Sequence, residues 1–176
     1  YGEPKYVDII LNKIIKVASD GSFQLDMKYF DYLSGLKMTS KEFNKLFGGP
    51  PRKSETKITQ REMDIAASIQ KVTEQIVIKL AKNIVEETGE RNLCLAGGVA
   101  LNCVVNGILL KEKIFENIWI QPASGDAGGA LGSALSVWYL NNNNKRKISY
   151  KNDSMKGSYL GPKFNDNEIQ KSLIEC

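Results

Sequence analysis

Two glycine-rich stretches hold the residues whose types and spacing could do chemistry. The first is Leu93-Cys94-Leu95-Ala96-Gly97-Gly98-Val99-Ala100-Leu101-Asn102-Cys103. Leu93 to Ala96 are apolar and uncharged, as in a short buried strand. Gly97-Gly98 removes side chains where the chain must turn, and lets a ligand approach the backbone. Leu101, Val104, Val105, Ile108 and Leu109 then recur at helical spacing. A helix start just after a strand offers free N–H groups to phosphate or another anion. Asn102 falls about one turn into that helix, where its amide could donate and accept beside a ligand. The plain alternative is a strand–turn–helix junction that binds nothing, which is common in α/β proteins. The glycines follow neither G-x-G-x-x-G nor the P-loop pattern.

The second stretch runs from Pro122 to Leu135 and includes Ser124-Gly125-Asp126-Ala127-Gly128-Gly129-Ala130-Leu131-Gly132. Gly costs a helix about 1 kcal/mol against Ala, so Gly128, Gly129 and Gly132 imply close approach by a neighbour or a ligand. Asp126 is the only charge between Glu116 and Lys145. It is either the N-cap of the next helix or a carboxylate that ligates a metal or a phosphate-bound cation. Both turns should open on the same edge of one sheet, and crevices beyond strand carboxyl ends are the usual sites in open α/β sheets.

The surrounding elements follow from pattern. Val7 to Val17 has the apolar spacing of an amphipathic helix, and Phe23 to Phe30 alternates like a half-buried strand. Ser40 caps a short helix over residues 41–46. The Phe47-Gly48-Gly49-Pro50-Pro51 loop precedes Arg52, which is a solvated loop charge or an anion contact. Thr59-Gln60-Arg61-Glu62 is a capping box. It opens a helix with the row Ile65, Ile69, Val72, Ile76, Leu80 and Ile84, ended by Gly89 and about 43 Å long. Its polar residues Asp64, Gln70 and Glu74 read as surface or cap neighbours. Asn92 to Ala96, a helix from Val99 to about Lys113, and a strand at Ile118 to Ile120 make a βαβ unit with parallel strands. Asn141 to Asn144 is an exposed loop, Ile148 to Lys151 an edge strand, and Ser158 to Phe164 a linker. Asn165 and Glu168 cap a final helix.

The 176 residues suffice for a domain with a real core, and 42% apolar with 25% charged residues is ordinary globular composition. The net charge of +4 is mild, and no basic stripe with interleaved aromatics suggests nucleic acid. No apolar run reaches the roughly 20 residues of a membrane span. The three cysteines without CxxC fit a reducing, cytoplasmic setting, with Cys94 and Cys103 as small buried apolar groups. Histidine is absent, so no Ser-His-Asp triad, Cys-His pair or His-rich metal site can form from these residues alone. A start at Tyr1 and a helix barely begun before Cys176 read as a piece cut from a longer chain.

Beyond these patterns, the motifs resemble a known family. They are Tyr1-Gly2-Glu3-Pro4-Lys5-Tyr6, Phe47-Gly48-Gly49-Pro50-Pro51-Arg52, Asp64-Ile65-Ala66-Ala67-Ser68-Ile69-Gln70, Gly97-Gly98-Val99-Ala100-Leu101-Asn102, Gln121-Pro122-Ala123-Ser124-Gly125-Asp126-Ala127-Gly128-Gly129-Ala130-Leu131-Gly132 and Tyr159-Leu160-Gly161-Pro162. In this order they resemble the carbamoyltransferases that include nodulation and antibiotic O-carbamoylating enzymes. The resemblance implies an α/β fold, the second half of an actin/Hsp70/sugar-kinase-like (ASKHA, RNase H-like) ATPase domain with a partly parallel sheet flanked by helices. Residues 1–160 would be part of that carbamoyl-transfer domain, and residues 161–176 a linker and the start of an adenylate-forming domain. The implied reaction makes carbamoyl-adenylate from carbamoyl phosphate and ATP, then passes the carbamoyl group to an acceptor hydroxyl on a sugar or natural product. By motif match, Gly97, Gly98 and Asn102 would line the adenylate. Asp126 would ligate Fe²⁺ or another divalent metal, whose histidine ligands lie upstream of Tyr1. The chain alone would be an inactive half-site that needs the missing domains of the same polypeptide, with no nucleic acid or membrane partner. Two rivals remain: a tRNA threonylcarbamoyl-transfer protein, which the mild charge disfavours, and a non-catalytic nucleotide-binding module of the actin-like class.

Overall fold

The computed structural model describes residues 1–147 and 153–175. They fall into two compact units, Tyr1–Ser124 and Gly125–Cys176. The architecture is α/β with small sheets. The edge strand expected at Ile148 to Lys151 lies outside the described residues.

The first unit is built on one long helix, α3 (Gln60–Thr88) in chain order. Its capping box forms, with the Thr59 amide donating to Glu62 Oε2 at 2.9 Å and Gly89 in the left-handed conformation at φ 69°. The buried stripe differs from the expected isoleucine row. It runs Asp64, Ser68, Val72 and Ile76 at four-residue steps, then Ala81, whereas Ile69 and Ile84 are exposed. The reason is the segment before the helix. The Glu3 amide donates to Asp64 Oδ1 at 2.8 Å and the Tyr6 amide to Ser68 Oγ at 3.0 Å. Buried polar groups are stable when paired in this way. Asp64 and Ser68 therefore use the buried face to hold the Gly-Glu-Pro-Lys-Tyr lead-in on the helix.

The same helix serves two apolar clusters. Val72 and Ile76 pack with Ile10, Ile14, Ile15, Tyr29 and Phe47. Further along, Ala81 packs with Val105, Leu109 and Phe115. Around the first cluster the expected helix over residues 7–17 shrinks to α1 (Val7–Ile9) and one π turn, Ile10–Ile14. Ile15–Val17 instead forms β1, antiparallel to β2 (Phe23–Leu25). β-branched Ile15 and Val17 suit a pleated strand better than a helix end. The expected strand at 23–30 stops early, because the Asp26 carboxylate accepts the Lys28 amide at 3.2 Å and starts a 3-10 turn, Met27–Tyr29. The short helix α2 (Lys41–Leu46) is capped by Ser40, as the sequence predicts.

The βαβ unit forms with parallel strands. β3 (Asn92–Leu95) pairs with β4 (Asn117–Ile120), Leu95 opposite Ile120. Leu93, Leu95 and Ile118 pack on the second cluster. The opposite face carries Cys94 beside Trp119, and both are exposed. Cys103 is exposed too, so neither flanking cysteine is a core residue. The connecting helix α4 (Cys103–Glu112) begins later than expected, after a 3-10 turn over Gly98–Leu101.

The second unit contains α5 (Gly128–Ser136), a π turn over Val137–Asn141 and α6 (Asp166–Glu175). The expected Asn165–Glu168 cap of α6 forms. The Asn165 amide donates to Glu168 Oε2 at 2.7 Å and the Glu168 amide to Asn165 Oδ1 at 3.0 Å.

Candidate functional site

In the first unit both strand exits leave the same edge, because the strands are parallel and Leu95 and Ile120 are in register. Gly97 turns the chain at φ 98° and ψ 158°, a conformation that essentially only glycine adopts. Its N–H donates to the Ser124 carbonyl at 2.8 Å, and its carbonyl accepts the Ala100 amide at 3.0 Å. The exit of β4 thus fixes the turn after β3. Gly98 is different. A Cβ built on it would meet nothing within 4 Å, so its missing side chain leaves open space and not packed backbone.

Asn102 is the N-cap of α4, not a residue one turn into it. Its Oδ1 accepts the Val105 amide at 3.1 Å, and its carbonyl accepts the Asn106 amide at 3.0 Å. The α4 N-terminus is therefore separated from the diglycine turn by the 3-10 segment and partly satisfied by its own cap. The helix-end attraction for an anion is weaker here than the sequence implied, since cap and ligand compete for the same donors.

Across from Asn102 stands Gln70 of α3. Asn102 Nδ2 donates to Gln70 Oε1 at 2.8 Å, and Gln70 Nε2 lies 3.3 Å from Asn102 Oδ1. Gln70 Nε2 also donates to Glu74 Oε1 at 3.2 Å, and Glu74 is paired with Lys71. Gln70 and Glu74 are thus half-buried members of a polar chain, and Gln70 is a cap neighbour, bonded to the N-cap of α4. A helical wheel does not show which cap, because the chain is closed by a residue 32 positions away.

Ser124 was not singled out by sequence. It is 7% exposed, and its hydroxyl has no hydrogen-bond partner among the described residues. A buried hydroxyl left unpaired is unfavourable. The available signal was its position two residues after a strand-ending proline, in a run of small residues. Next to the turn lies an apolar cavity of about 210 Å³, bordered by Val77, Leu80, Ile84, Leu95 and Val99, with the Asn106 amide among its walls.

Arg52 is exposed, and its guanidinium donates to the Lys53 and Thr56 carbonyls. It staples its own loop. Asp126, in the second unit, is exposed. It does not cap α5: Ala127 occupies the N-cap position with no side-chain bond, while the Asp126 carbonyl accepts the Gly129 amide at 3.0 Å. Its carboxylate has no ion-pair partner among the described residues. These residues gather no group of three potential His, Cys, Asp or Glu ligands. A carboxylate is a suitable hard ligand for a divalent cation, and the chain offers one such group here, not a complete coordination shell.

A comparison with known families identifies the family. The family described as "Carbamoyltransferase N-terminus" matches residues 1–135. The chain belongs to the carbamoyltransferase N-terminal family. The match includes the diglycine turn, Asn102, Ser124 and Asp126. Among curated relatives, an uncharacterized protein of Synechocystis is 60% identical over 173 residues, 98% of this chain and 28% of the relative. Nodulation protein NolNO of Sinorhizobium fredii is 32% identical over 99% of this chain and 23% of its own length. Nodulation protein NolO of Bradyrhizobium diazoefficiens is 49% identical over 79 residues, 45% of this chain and 14% of its own. The chain therefore spans about a quarter of the relatives that cover it end to end. Among the described residues no helix is long and apolar enough to cross a membrane.

Proposed function

We propose that this chain is part of an O-carbamoyltransferase, in which it binds the adenylate portion of carbamoyl-adenylate and helps deliver the carbamoyl group to an acceptor hydroxyl. The observation that carries this reading is the family match over residues 1–135, which takes in the whole strand–diglycine–Asn102 junction. In the fuller picture the domain is of the actin/Hsp70/sugar-kinase class, and carbamoyl phosphate and ATP are joined elsewhere in the same polypeptide. The acceptor is a sugar or natural product bearing a hydroxyl.

In this reading Gly97 sets the turn, and Gly98 leaves room for the nucleotide against the backbone. Asn102 contributes a donor, and the buried Ser124 hydroxyl gains the partner it lacks. These groups bind and orient, and orientation alone can supply several kcal/mol of barrier lowering. Asp126 would provide one oxygen ligand to Fe²⁺ or another divalent metal. Such a metal would act as a Lewis acid that polarises an oxygen of the reacting groups. The remaining ligands would come from outside the described residues, so the chain by itself would bind but not turn over.

The test uses the full-length parent protein supplied with carbamoyl phosphate, ATP and a hydroxyl acceptor. Formation of carbamoylated acceptor with release of AMP is the expected result. ATP turnover without carbamoylated product over a panel of sugar and natural-product hydroxyls would overturn the assignment.

A further inference from the structure

The hydrogen-bond capacity of Asn102 can be counted. A side-chain amide has two acceptor sites on oxygen and two donor hydrogens on nitrogen. Both acceptor sites are occupied, by the Val105 amide at 3.1 Å and by Gln70 Nε2 at 3.3 Å. One donor is given to Gln70 Oε1 at 2.8 Å. One N–H remains. The orientation of the amide is also forced: only oxygen can receive the Val105 N–H, so the flipped arrangement would set an NH₂ against it. Gln70 completes this lock from a different element, the rigid helix α3, and is itself held by Glu74 at 3.2 Å.

We propose that Gln70 is a positioning residue, which holds Asn102 as a donor-only contact and thereby selects a ligand acceptor atom at that point. The inference rests on the reading of Asn102 as a nucleotide contact. Gln70 touches no ligand in this arrangement and acts through Asn102. The group that Asn102 meets must accept a hydrogen bond, as phosphate, ribose and ring-nitrogen acceptors of a nucleotide do. Without Gln70 the Asn102 side chain keeps its cap to Val105 but loses the second anchor. Its free N–H is then no longer fixed in direction.

The test is a double-mutant cycle on the KM for supplied carbamoyl-adenylate in the transfer step of the full-length protein, which the ATP-consuming site elsewhere in the polypeptide does not enter, with Gln70→Met, Asn102→Ala and the double variant. Gln70→Met keeps length and helix preference while removing both bonds to Asn102 and the one to Glu74. A freed Asn102 side chain must be re-ordered on binding, which corresponds to up to about a tenfold higher KM for carbamoyl-adenylate. The same substitution in the Asn102→Ala background is expected to change KM by less than about twofold, because the residue it positions is gone. Gln70→Ala, run in parallel, carries the same expectation should the methionine variant not fold. A rise in KM of equal size in both backgrounds would overturn the proposal, because a merely structural role for Gln70 predicts that pattern. So would an unchanged KM for Gln70→Met while that of Asn102→Ala is raised. If Asn102→Ala itself uses supplied carbamoyl-adenylate with the wild-type KM, the nucleotide reading of Asn102 fails and the proposal falls with it.

Discussion

Asp64 accepts the backbone N–H of Glu3 at 2.8 Å across 61 positions of sequence, with no part of Asp64 exposed. The same Oδ1 receives Gln60 Nε2 at 2.7 Å, and Oδ2 is ion-paired with Lys5. The Glu3 amide first, then Lys5 and Gln60, hold the Asp64 carboxyl down from 3.8 to about 2. A carboxyl lowered in the folded state stabilises fully above its unfolded value, and the contribution fades as pH falls through the folded one. The window is 3.8 down to about 2. Asp64→Asn is expected to lower the thermal midpoint by several degrees at pH 7, since Lys5 loses its counter-charge. The gap between variant and wild type should close as pH falls through that window. Equal midpoints at pH 7 would mean that the Asp64 charge adds nothing to the stability of the first unit. Glu62, lowered from 4.5 to about 2 by Thr59 and Arg61, titrates in an overlapping range. The difference between the two proteins is therefore the quantity to follow, not either curve alone.

The two glycines of the turn should respond differently to one methyl group. Gly97 sits at φ 98°, ψ 158°, so Gly97→Ala is expected to cost about 1–3 kcal/mol of stability through backbone strain. Gly98 has free space where the methyl would go. Gly98→Ala should leave stability within about 0.5 kcal/mol, yet raise the KM for supplied carbamoyl-adenylate at least tenfold if the nucleotide lies against that backbone. Denaturant unfolding and transfer kinetics with supplied carbamoyl-adenylate on both full-length variants separate these effects. A Gly98→Ala protein with the wild-type KM would remove the diglycine turn from the site.

Element types and most junctions were legible in the sequence, while the inward face of α3 and the polar chemistry on it were not. The capping box at Thr59, the stop at Gly89 and the parallel pair around Gly97 rest on local signals that tertiary contacts do not overturn. Asp64, Ser68 and Gln70 defeat such reading, because each is buried or held by a partner far away in sequence: Glu3, Tyr6 and Asn102. A helical wheel assigns polar residues to solvent by default. The hairpin at residues 15–25 shows the complementary error, where helical spacing of isoleucines gave way to strand pairing. At the site, the glycines were recognisable from their spacing. The cap role of Asn102 was not, because it depends on where a 3-10 turn ends and α4 begins.

Ser124 offers a test in which stability and use of the nucleotide should move in opposite directions. Its hydroxyl is buried without a partner among the described residues, a situation that typically costs about 1–3 kcal/mol. Ser124→Ala removes that hydroxyl and keeps the carbonyl that anchors Gly97. The variant is expected to be as stable as wild type or more so in thermal unfolding without ligand. If a bound nucleotide supplies the missing partner, the same variant should show a several-fold higher KM for supplied carbamoyl-adenylate. A loss of stability together with an unchanged KM would show instead that the hydroxyl serves only the fold.

Asp126 separates the metal hypothesis from the structural one. Its side chain is exposed and caps nothing, with Ala127 at the N-cap of α5. Asp126→Ala should therefore leave the unfolding midpoint unchanged, within about 0.5 kcal/mol as for other surface substitutions. If the carboxylate is a metal ligand, the full-length variant should retain less Fe²⁺ after dialysis, and its carbamoyl transfer should fall by at least a hundredfold while ATP still binds. Removing iron from the wild type with a chelator should reproduce the loss, and adding Fe²⁺ back should rescue the wild type but not the variant. Metal content and transfer equal to wild type would remove Asp126 from the metal shell. The open carboxylate would then be a surface charge, and the metal-dependent part of the proposed reaction would have to rest on other residues.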